Sequence, residues 1–159
     1  MSIQNNITRF LKSQKINFTE FETDPIKHSA IESAEIFHLD PMIVYKTIVV
    51  LRVSNKHGKP MVVVIPGPCE VSVKKVADFI NEKKVQVPTQ KEAEDLTGML
   101  SGGISPFGLL NHGFEIYASN IMLSQNLICV SGGQRGLSLQ MKPEDFIKVT
   151  NAKLGDFTE

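Results

Sequence analysis

The chain has 159 residues, of which 42% are hydrophobic, and its 17 basic and 17 acidic side chains give a formal net charge of zero. This length favours one domain, residues 1–159, with a buried core. The balanced charge excludes a strongly basic nucleic-acid-binding protein, so any affinity for a polyanion must be local or assisted by a partner. Two distant cysteines without a CxxC pair exclude a disulfide framework and a zinc knuckle and favour a reducing cytoplasm.

Hydrophobic periodicity and capping signals predict a chain in which helices and strands mix throughout. In chain order the predicted elements are a helix at 2–14, a strand at 18–22, a helix at 29–40, strands at 44–53 and 61–65, a helix at 72–80, a strand at 85–87, a helix at 89–98, strands at 114–118, 127–131 and 137–141, and a helix at 143–149. Ser2 is the expected cap of the first helix, and a polar turn at 54–59 joins the two central strands. The pattern is that of one mostly β-centred α/β domain.

Lys46 is the most unusual charged residue, because it begins the most apolar predicted strand and shares a strand face with Ile48 and Val50. One interpretation is an ammonium group that binds a phosphate or carboxylate of a ligand at the mouth of a cavity. The alternative is a lysine whose aliphatic chain packs against the protein while its ammonium group reaches solvent. The sequence alone leaves both interpretations open. Thr47 points to the opposite face and has the character of an ordinary strand residue.

Two glycine-rich segments, 102–108 and 131–136, are expected to form two walls of one site. Paired glycines let backbone amides approach a ligand closely, and Pro106 fixes the chain beside them. Such amides could stabilise a developing oxyanion, although an ordinary tight loop is the simpler alternative for either segment. Ser105 is not predicted to be a nucleophile, because it lies in no G-x-S-x-G elbow and has no obvious histidine partner.

Other chemistry-bearing residues point to no metal or membrane function. The four histidines are dispersed and show no metal-ligand spacing: His28, His38, His57 and His112. Cys69 is a candidate exposed thiol, whereas Cys129 lies within a predicted strand and is expected to be buried. No export signal precedes an apolar run, and no stretch approaches the roughly 20 apolar residues of a membrane span, so we expect a cytoplasmic protein.

Three separated segments together resemble one known family. The segments are 44–47 (Val-Tyr-Lys-Thr), 102–106 (Gly-Gly-Ile-Ser-Pro) and 131–137 (Ser-Gly-Gly-Gln-Arg-Gly-Leu). In order and spacing they resemble the free-standing Cys-tRNA(Pro) deacylases, the YbaK/EbsC type of the prolyl-tRNA synthetase editing-domain superfamily. The similarity extends from the first helix to the last, and the agreement of three motifs makes it specific.

This resemblance implies an α/β (α+β) fold, a single compact domain with a mixed, curved, barrel-like β-sheet flanked by helices. It also implies a pocket for the aminoacylated 3′ end of tRNA and hydrolysis of a mischarged aminoacyl ester, most specifically Cys-tRNA(Pro). Deacylation of another small amino acid, such as Ala-tRNA(Pro), is the alternative. No cofactor and no metal are implied. In Cys-specific members the substrate's own thiol is thought to assist the attack, which suits a chain without a recognisable triad.

Residue roles follow from the same resemblance. Lys46 would contact the terminal nucleotide or its phosphate, and Gly102 and Gly103 would hold the ester carbonyl through backbone donors. The remaining substrate-binding residues would be Thr47, Ile104, Ser105, Pro106, Ser131, Gly132, Gly133, Arg135 and Ser138. Some relatives carry Asp in place of Ser138 and an aromatic residue in place of Ser29, so the resemblance leaves the preferred amino acid open.

The neutral charge suggests that a transient complex with prolyl-tRNA synthetase supplies the selectivity for tRNA. The basic pairs at 74–75 and 83–84 are candidates for a modest tRNA-backbone patch, although a solvated helix face is the commoner explanation. A hypothesis of a different class is a non-catalytic module that binds tRNA or a synthetase. A basic rim around the glycine loop would favour a tRNA substrate, and an acidic rim would argue against it.

Overall fold

The computed structural model describes residues 5–53 and 58–159, which form helices packed around two β-sheets. In chain order the elements are α1 (Asn6–Ser13), β1 (Thr19–Glu22), α2 (Ala30–Phe37), β2 (Tyr45–Arg52), β3 (Met61–Pro66), α3 (Val73–Phe79), β4 (Val85–Gln86), α4 (Gln90–Thr97), β5 (Glu115–Ser119), β6 (Ile128–Ser131), β7 (Leu137–Met141), α5 (Pro143–Thr150) and β8 (Lys153–Gly155). Short 3-10 segments lie at Pro41–Ile43, Pro106–Leu109 and Asn120–Ser124.

The larger sheet has the order β4-β2-β3-β5-β8, in which β2 pairs antiparallel with β3 and β4, while β3–β5 and β5–β8 are parallel. The smaller sheet is antiparallel, with the order β1-β7-β6. A parallel bridge between Val44 and Cys129 brings the start of β2 beside β6. The predicted mixed α/β fold is confirmed, but these are two separate sheets that do not close into a barrel.

Both faces of β2 and β3 are covered, as their apolar pattern predicts. On one face, Val49 and Val62 belong to a core that includes residues of α1, β6, β7 and α5. On the other face, Val50 and Met61 pack with residues of α3 and with Phe157. All of β3 is buried, which explains why its sequence is apolar at every position rather than at alternate ones.

Every predicted helix and strand is present, with ends that shift by a few residues. The cap of α1 is Asn5, whose side chain accepts from the Thr8 amide at 2.9 Å, and not Ser2, which lies outside the described residues together with the 54–57 part of the predicted turn. The short strand β8 and the 3-10 segments carry no strong periodicity and were not predicted. Among the described residues, no helix is long and apolar enough to cross a membrane.

The β6–β7 turn is held against the chain that leads from β1 to α2. The Thr23 amide donates to the carbonyl oxygen of Gly136 at 2.8 Å. Gly136 has a φ of 87°, and a Cβ at this position would lie only 2.5 Å from the Thr23 carbonyl oxygen. Only glycine fits there, so the glycine fixes how closely the β6–β7 turn approaches the segment before α2.

Candidate active site

A cavity of about 230 Å³ opens where the start of β2, the N-terminus of α2, the loop after α4 and the β6–β7 hairpin meet. Its lining residues come from four separate parts of the chain: Lys27, His28, Ser29, Ala30, Ser33, Val44, Tyr45, Lys46, Thr47, Ser101, Gly102, Ile104, Val130, Ser131 and Ser138. The lining is rich in hydroxyl groups with an apolar wall. It includes two lysines and, among the described residues, no Asp or Glu.

The structure brings half of the predicted site residues together around this cavity. The predicted residues that line it are Lys46, Thr47, Gly102, Ile104, Ser131 and Ser138. The predicted residues that do not line it are Gly103, Ser105, Pro106, Gly132, Gly133 and Arg135. Those that do not line it nevertheless belong to the two glycine segments that form its walls.

Lys46 lies at the rim of the cavity, at the second position of β2 and opposite Ile65 of β3. Its side chain is 26% exposed, and its Nζ lies 4.0 Å from Oε1 of Glu70, whose side chain is 77% exposed. An ion pair of this kind contributes about 0–1 kcal/mol, so Glu70 holds the ammonium only weakly. The lysine is therefore available to an anionic group that enters the cavity. Thr47, although it follows on the opposite strand face, lines the same cavity.

The loop after α4 presents two backbone amides beside the cavity. The N–H of Gly103 donates to the carbonyl oxygen of Leu100 at 2.8 Å, which closes a turn and commits that donor. The amides of Gly102 and Ile104 on either side donate to no partner among the described residues. The φ of Gly102 is 88°, and a Cβ there would lie 3.3 Å from Cγ of Lys27.

The two glycine segments are held together by backbone proximity and by one side chain. A Cβ on Gly103 would lie 2.9 Å from the amide nitrogen of Arg135. Nε of Arg135 donates to the carbonyl oxygen of Ser101 at 2.7 Å. Arg135 thus fixes the loop that carries Gly102. This hydrogen bond gives Arg135 a structural role in the 131–137 motif, although Arg135 does not line the cavity.

The other predicted residues outside the cavity are packed into the structure. Ser105 and Pro106 are buried, and Oγ of Ser105 has no hydrogen-bond partner among the described residues. Gly132 packs against the side chain of Leu137. Gly133 lines a second cavity, of about 600 Å³, on the α1 side of the turn.

Two ionisable side chains at or beside the cavity, Tyr45 and Cys129, have raised pKa values. Burial raises the pKa of Cys129 to about 12, a shift that its hydrogen bond with Ser138 only partly offsets, so this thiol stays protonated at neutral pH. Burial and, to a lesser extent, the neighbouring Cys69 raise the pKa of Tyr45, whose hydroxyl donates to Gln125 at 2.5 Å. Tyr45 is therefore a neutral hydrogen-bonding group rather than a base.

Sequence reasoning missed the wall that precedes and begins α2. Ser29 caps this helix in a capping box with Glu32, in which the Glu32 amide donates to Oγ of Ser29 at 3.1 Å. Hydrogen bonds from the backbone amide and the hydroxyl of Ser29, and to a lesser extent the electrostatic effect of His28, lower the pKa of Glu32. The capping box was visible in the sequence, but nothing there indicated that the helix start would face Gly102.

His28, which precedes this cap, lines the cavity, and its Nε2 is buried without a hydrogen-bond partner among the described residues. Groups of three or more His, Cys, Asp or Glu side chains that could hold a metal ion do not occur within the described ranges.

Comparisons with known proteins add a family to this geometry. Residues 24–149 match the family described as "Aminoacyl-tRNA editing domain". The chain is 34% identical over 155 residues to a protein of Enterococcus faecalis named as a proposed Cys-tRNA(Pro)/Cys-tRNA(Cys) deacylase, EbsC, with 96% of this chain and 92% of that protein covered. It is 27% identical over 112 residues to a proline–tRNA ligase of Limosilactobacillus reuteri, with 69% of this chain but only 19% of the ligase covered.

Two solved structures share the fold. The crystal structure of a hypothetical protein superposes with a TM-score of 0.87 at 21% identity and covers 98% of this chain and 100% of that one. The crystal structure of a proposed trans-editing enzyme for prolyl-tRNA synthetase superposes with a TM-score of 0.79 at 18% identity and covers 99% of both chains.

Proposed function

The chain belongs to the aminoacyl-tRNA editing domain family and is an aminoacyl-tRNA deacylase, and we propose that it acts in trans on Cys-tRNA(Pro) in the cytoplasm. The observation that carries the proposal is the convergence of Lys46, Gly102 and Ser131 on one cavity. These residues are far apart in the sequence, and each belongs to one of the three segments on which the resemblance rests. We propose further that residues 1–159 act as one editing domain.

The size and lining of the cavity support a small aminoacyl group as its occupant. At about 230 Å³ it is smaller than the roughly 300–1,000 Å³ of typical ligand pockets, so it suits a short side chain with its ester. The hydroxyl groups of Ser131 and Ser138 can pair with a polar side chain, while Ile104 and Val130 form an apolar wall. Cysteine, which is small and weakly polar, fits this combination better than a charged or a branched residue.

In the proposed mechanism, the backbone holds the reacting carbonyl and the enzyme contributes no nucleophile. The amides of Gly102 and Ile104 donate to the oxyanion that develops on the ester carbonyl. With cysteine as the amino acid, its sulfur attacks its own carbonyl carbon, and the bond from that carbon to the tRNA oxygen breaks. The thiol proton ends on the tRNA hydroxyl, and water then opens the cyclic thioester to give cysteine. Direct attack by water is the corresponding route for another small amino acid.

Lys46 is proposed to bind the phosphate of the terminal nucleotide. Its ammonium stands at the rim and is held only weakly by Glu70, so it can exchange this partner for a phosphate. The absence of carboxylates from the described lining keeps the entrance suitable for a polyanion. Glu70 stands beside Lys46, so the proposal requires the phosphate to displace this carboxylate.

The partner proposed for this reaction is prolyl-tRNA synthetase. The chain carries no net charge, so the affinity of the isolated protein for tRNA is expected to be weak and dependent on salt concentration. Its similarity to a segment of a proline–tRNA ligase supports a link to such enzymes. We propose that a transient complex with the synthetase presents the mischarged 3′ end.

The first prediction concerns the substrate. Purified protein should release cysteine from Cys-tRNA(Pro) faster than alanine from Ala-tRNA(Pro) or serine from Ser-tRNA(Pro), and prolyl-tRNA synthetase should increase its preference for tRNA(Pro) over tRNA(Cys). The measurement is the loss of labelled amino acid from each tRNA with and without the synthetase. If none of these tRNAs is deacylated at high enzyme concentration, the chain is a binding module instead. Tight, salt-resistant and tRNA(Pro)-selective binding by the isolated protein would contradict the role of the synthetase.

The second prediction separates Lys46 from its ion-pair partner. Lys46→Ala removes a charged hydrogen bond of roughly 1.5–3 kcal/mol and should lower kcat/KM for deacylation about 10- to 100-fold. Glu70→Gln, the matched control, removes only the weak pair and should leave kcat/KM within about twofold of the wild-type value. Equal losses in both variants would show that the pair itself, rather than the lysine, matters.

The third prediction tests the loop backbone. Gly102→Val forces a β-branched residue to a φ of 88° and displaces the adjacent amides, so deacylation should fall about 10²- to 10³-fold, as for loss of an oxyanion-hole donor. Gly113→Val is the control, because Gly113 also has a positive φ, 75°, but no neighbouring atom within 4 Å of its added Cβ. If both variants fold and retain equal activity, the Gly102 loop has no part in the reaction.

A further inference from the structure

We propose that His28 hydrogen-bonds the α-amino group of the aminoacyl ester and restricts the enzyme to substrates in which that group is free. This inference rests on the deacylase function proposed above and adds a substrate contact to it. Nothing in the sequence motifs assigned a role to this residue. It is argued from the burial of its Nε2 atom, its position beside Gly102 and the chemistry of the cavity lining.

The side chain of His28 is half-buried and lines the cavity, while its Nε2 is shielded from solvent. This nitrogen has no hydrogen-bond partner among the described residues. A buried polar atom without a partner is destabilising, so this nitrogen stands ready for a hydrogen bond from a ligand. Rotation of the ring about χ2, a torsion with a broad energy minimum, can turn Nε2 toward a ligand in the cavity.

The position of His28 relative to the proposed oxyanion donors suits the α-amino group. A Cβ on Gly102 would lie 3.6 Å from the backbone nitrogen of His28, so the two chain segments are in direct contact. In an aminoacyl ester the amino nitrogen is two bonds, about 2.5 Å, from the carbonyl carbon. A residue that binds the amino group must therefore stand next to the residues that bind the carbonyl oxygen, and His28 does.

Hydroxyl groups of the lining can also accept a hydrogen bond, but among the described lining residues only His28 carries a buried side-chain polar atom that lacks a partner. An α-amino group is a donor that is usually paired with a carboxylate, and no described lining residue is Asp or Glu. The nearby Glu32 is committed to the capping box, where it accepts from the Ser29 amide at 3.0 Å. Lys27 and Lys46 only donate, whereas a neutral imidazole offers one ring nitrogen as an acceptor.

An enzyme that binds the free α-amino group in this way would not hydrolyse aminoacyl-tRNAs in which the α-amino group of the amino acid is acylated. An acyl group on the nitrogen removes its charge, leaves a single N–H and adds bulk at the point of contact. Peptidyl-tRNA and other N-acylated tRNAs carry the same ester as the substrate, so recognition of the ester alone would not protect them. The inferred contact supplies that distinction.

The test combines one change in the enzyme with one in the substrate. Wild-type protein, His28→Phe, His28→Gln and the control His112→Phe are assayed on the same aminoacyl-tRNA with a free and with an acetylated amino group, each rate being divided by the uncatalysed rate. His112 is exposed and lies outside this cavity. Thermal melting of each variant reports on folding.

Acetylation should lower kcat/KM at least tenfold for the wild type and for His112→Phe. For His28→Phe, activity on the free substrate should fall at least tenfold, and acetylation should then change it less than threefold. His28→Gln, which keeps an acceptor, should recover part of the discrimination. His28→Phe should melt no lower than the wild type, because it removes an unpaired buried nitrogen.

An active His28→Phe variant that still discriminates tenfold against the acetylated substrate would overturn the inference. So would a His28→Phe variant whose lost activity is matched by a lower melting temperature and is not recovered in part by His28→Gln. These outcomes leave the deacylase assignment intact. Failure of the wild type to hydrolyse any charged tRNA would instead overturn the proposed function itself.

Discussion

The close approach of two loop backbones is the constraint on which the site depends. Gly103 lies so near the backbone of Gln134 and Arg135 that a Cβ on Gly103 would be 2.9 Å from their backbone atoms. The side chain of Arg135 also donates a hydrogen bond to the carbonyl oxygen of Ser101 and so links the two loops. Because Gly103 closes its own turn with Leu100, the neighbouring amides are presented beside the cavity. The glycines are thus needed for packing between the loops as much as for contact with substrate.

This arrangement suits the proposed reaction, in which the enzyme supplies no nucleophile. The cavity offers amides, hydroxyl groups and a weakly held ammonium, whereas burial raises the pKa of Cys129, which lies behind the lining residue Ser138. Such a site can orient an ester and stabilise charge on its carbonyl oxygen, and in the proposed mechanism the substrate or water supplies the attacking atom. Selectivity must then come from the amino acid's own groups and from whatever presents the tRNA.

Much of the fold could be predicted from the sequence, because double-sided apolar strands such as β3 and capping boxes such as Ser29–Glu32 are local signals. The glycine content led us to expect segments 102–108 and 131–136 to form two walls of one site, and the family resemblance added Lys46 to them. The wall formed by Lys27 and His28 could not be predicted, since it depends on the tertiary contact between Gly102 and the segment before α2. For the same reason the sequence could not separate Gly103, whose amide closes a turn, from Gly102.

The central claim is that the cavity at the start of β2 binds the aminoacyl ester with its carbonyl oxygen against the glycine loop. A crystal structure with an adenosine that carries cysteine through a stable 3′-amide would test it most directly. The account predicts the cysteinyl group between Lys46 and Ser131, with its carbonyl oxygen about 3 Å from the amide nitrogen of Gly102 or Ile104. Binding in the second cavity beside Phe10, or a carbonyl oxygen turned away from the loop, would contradict it.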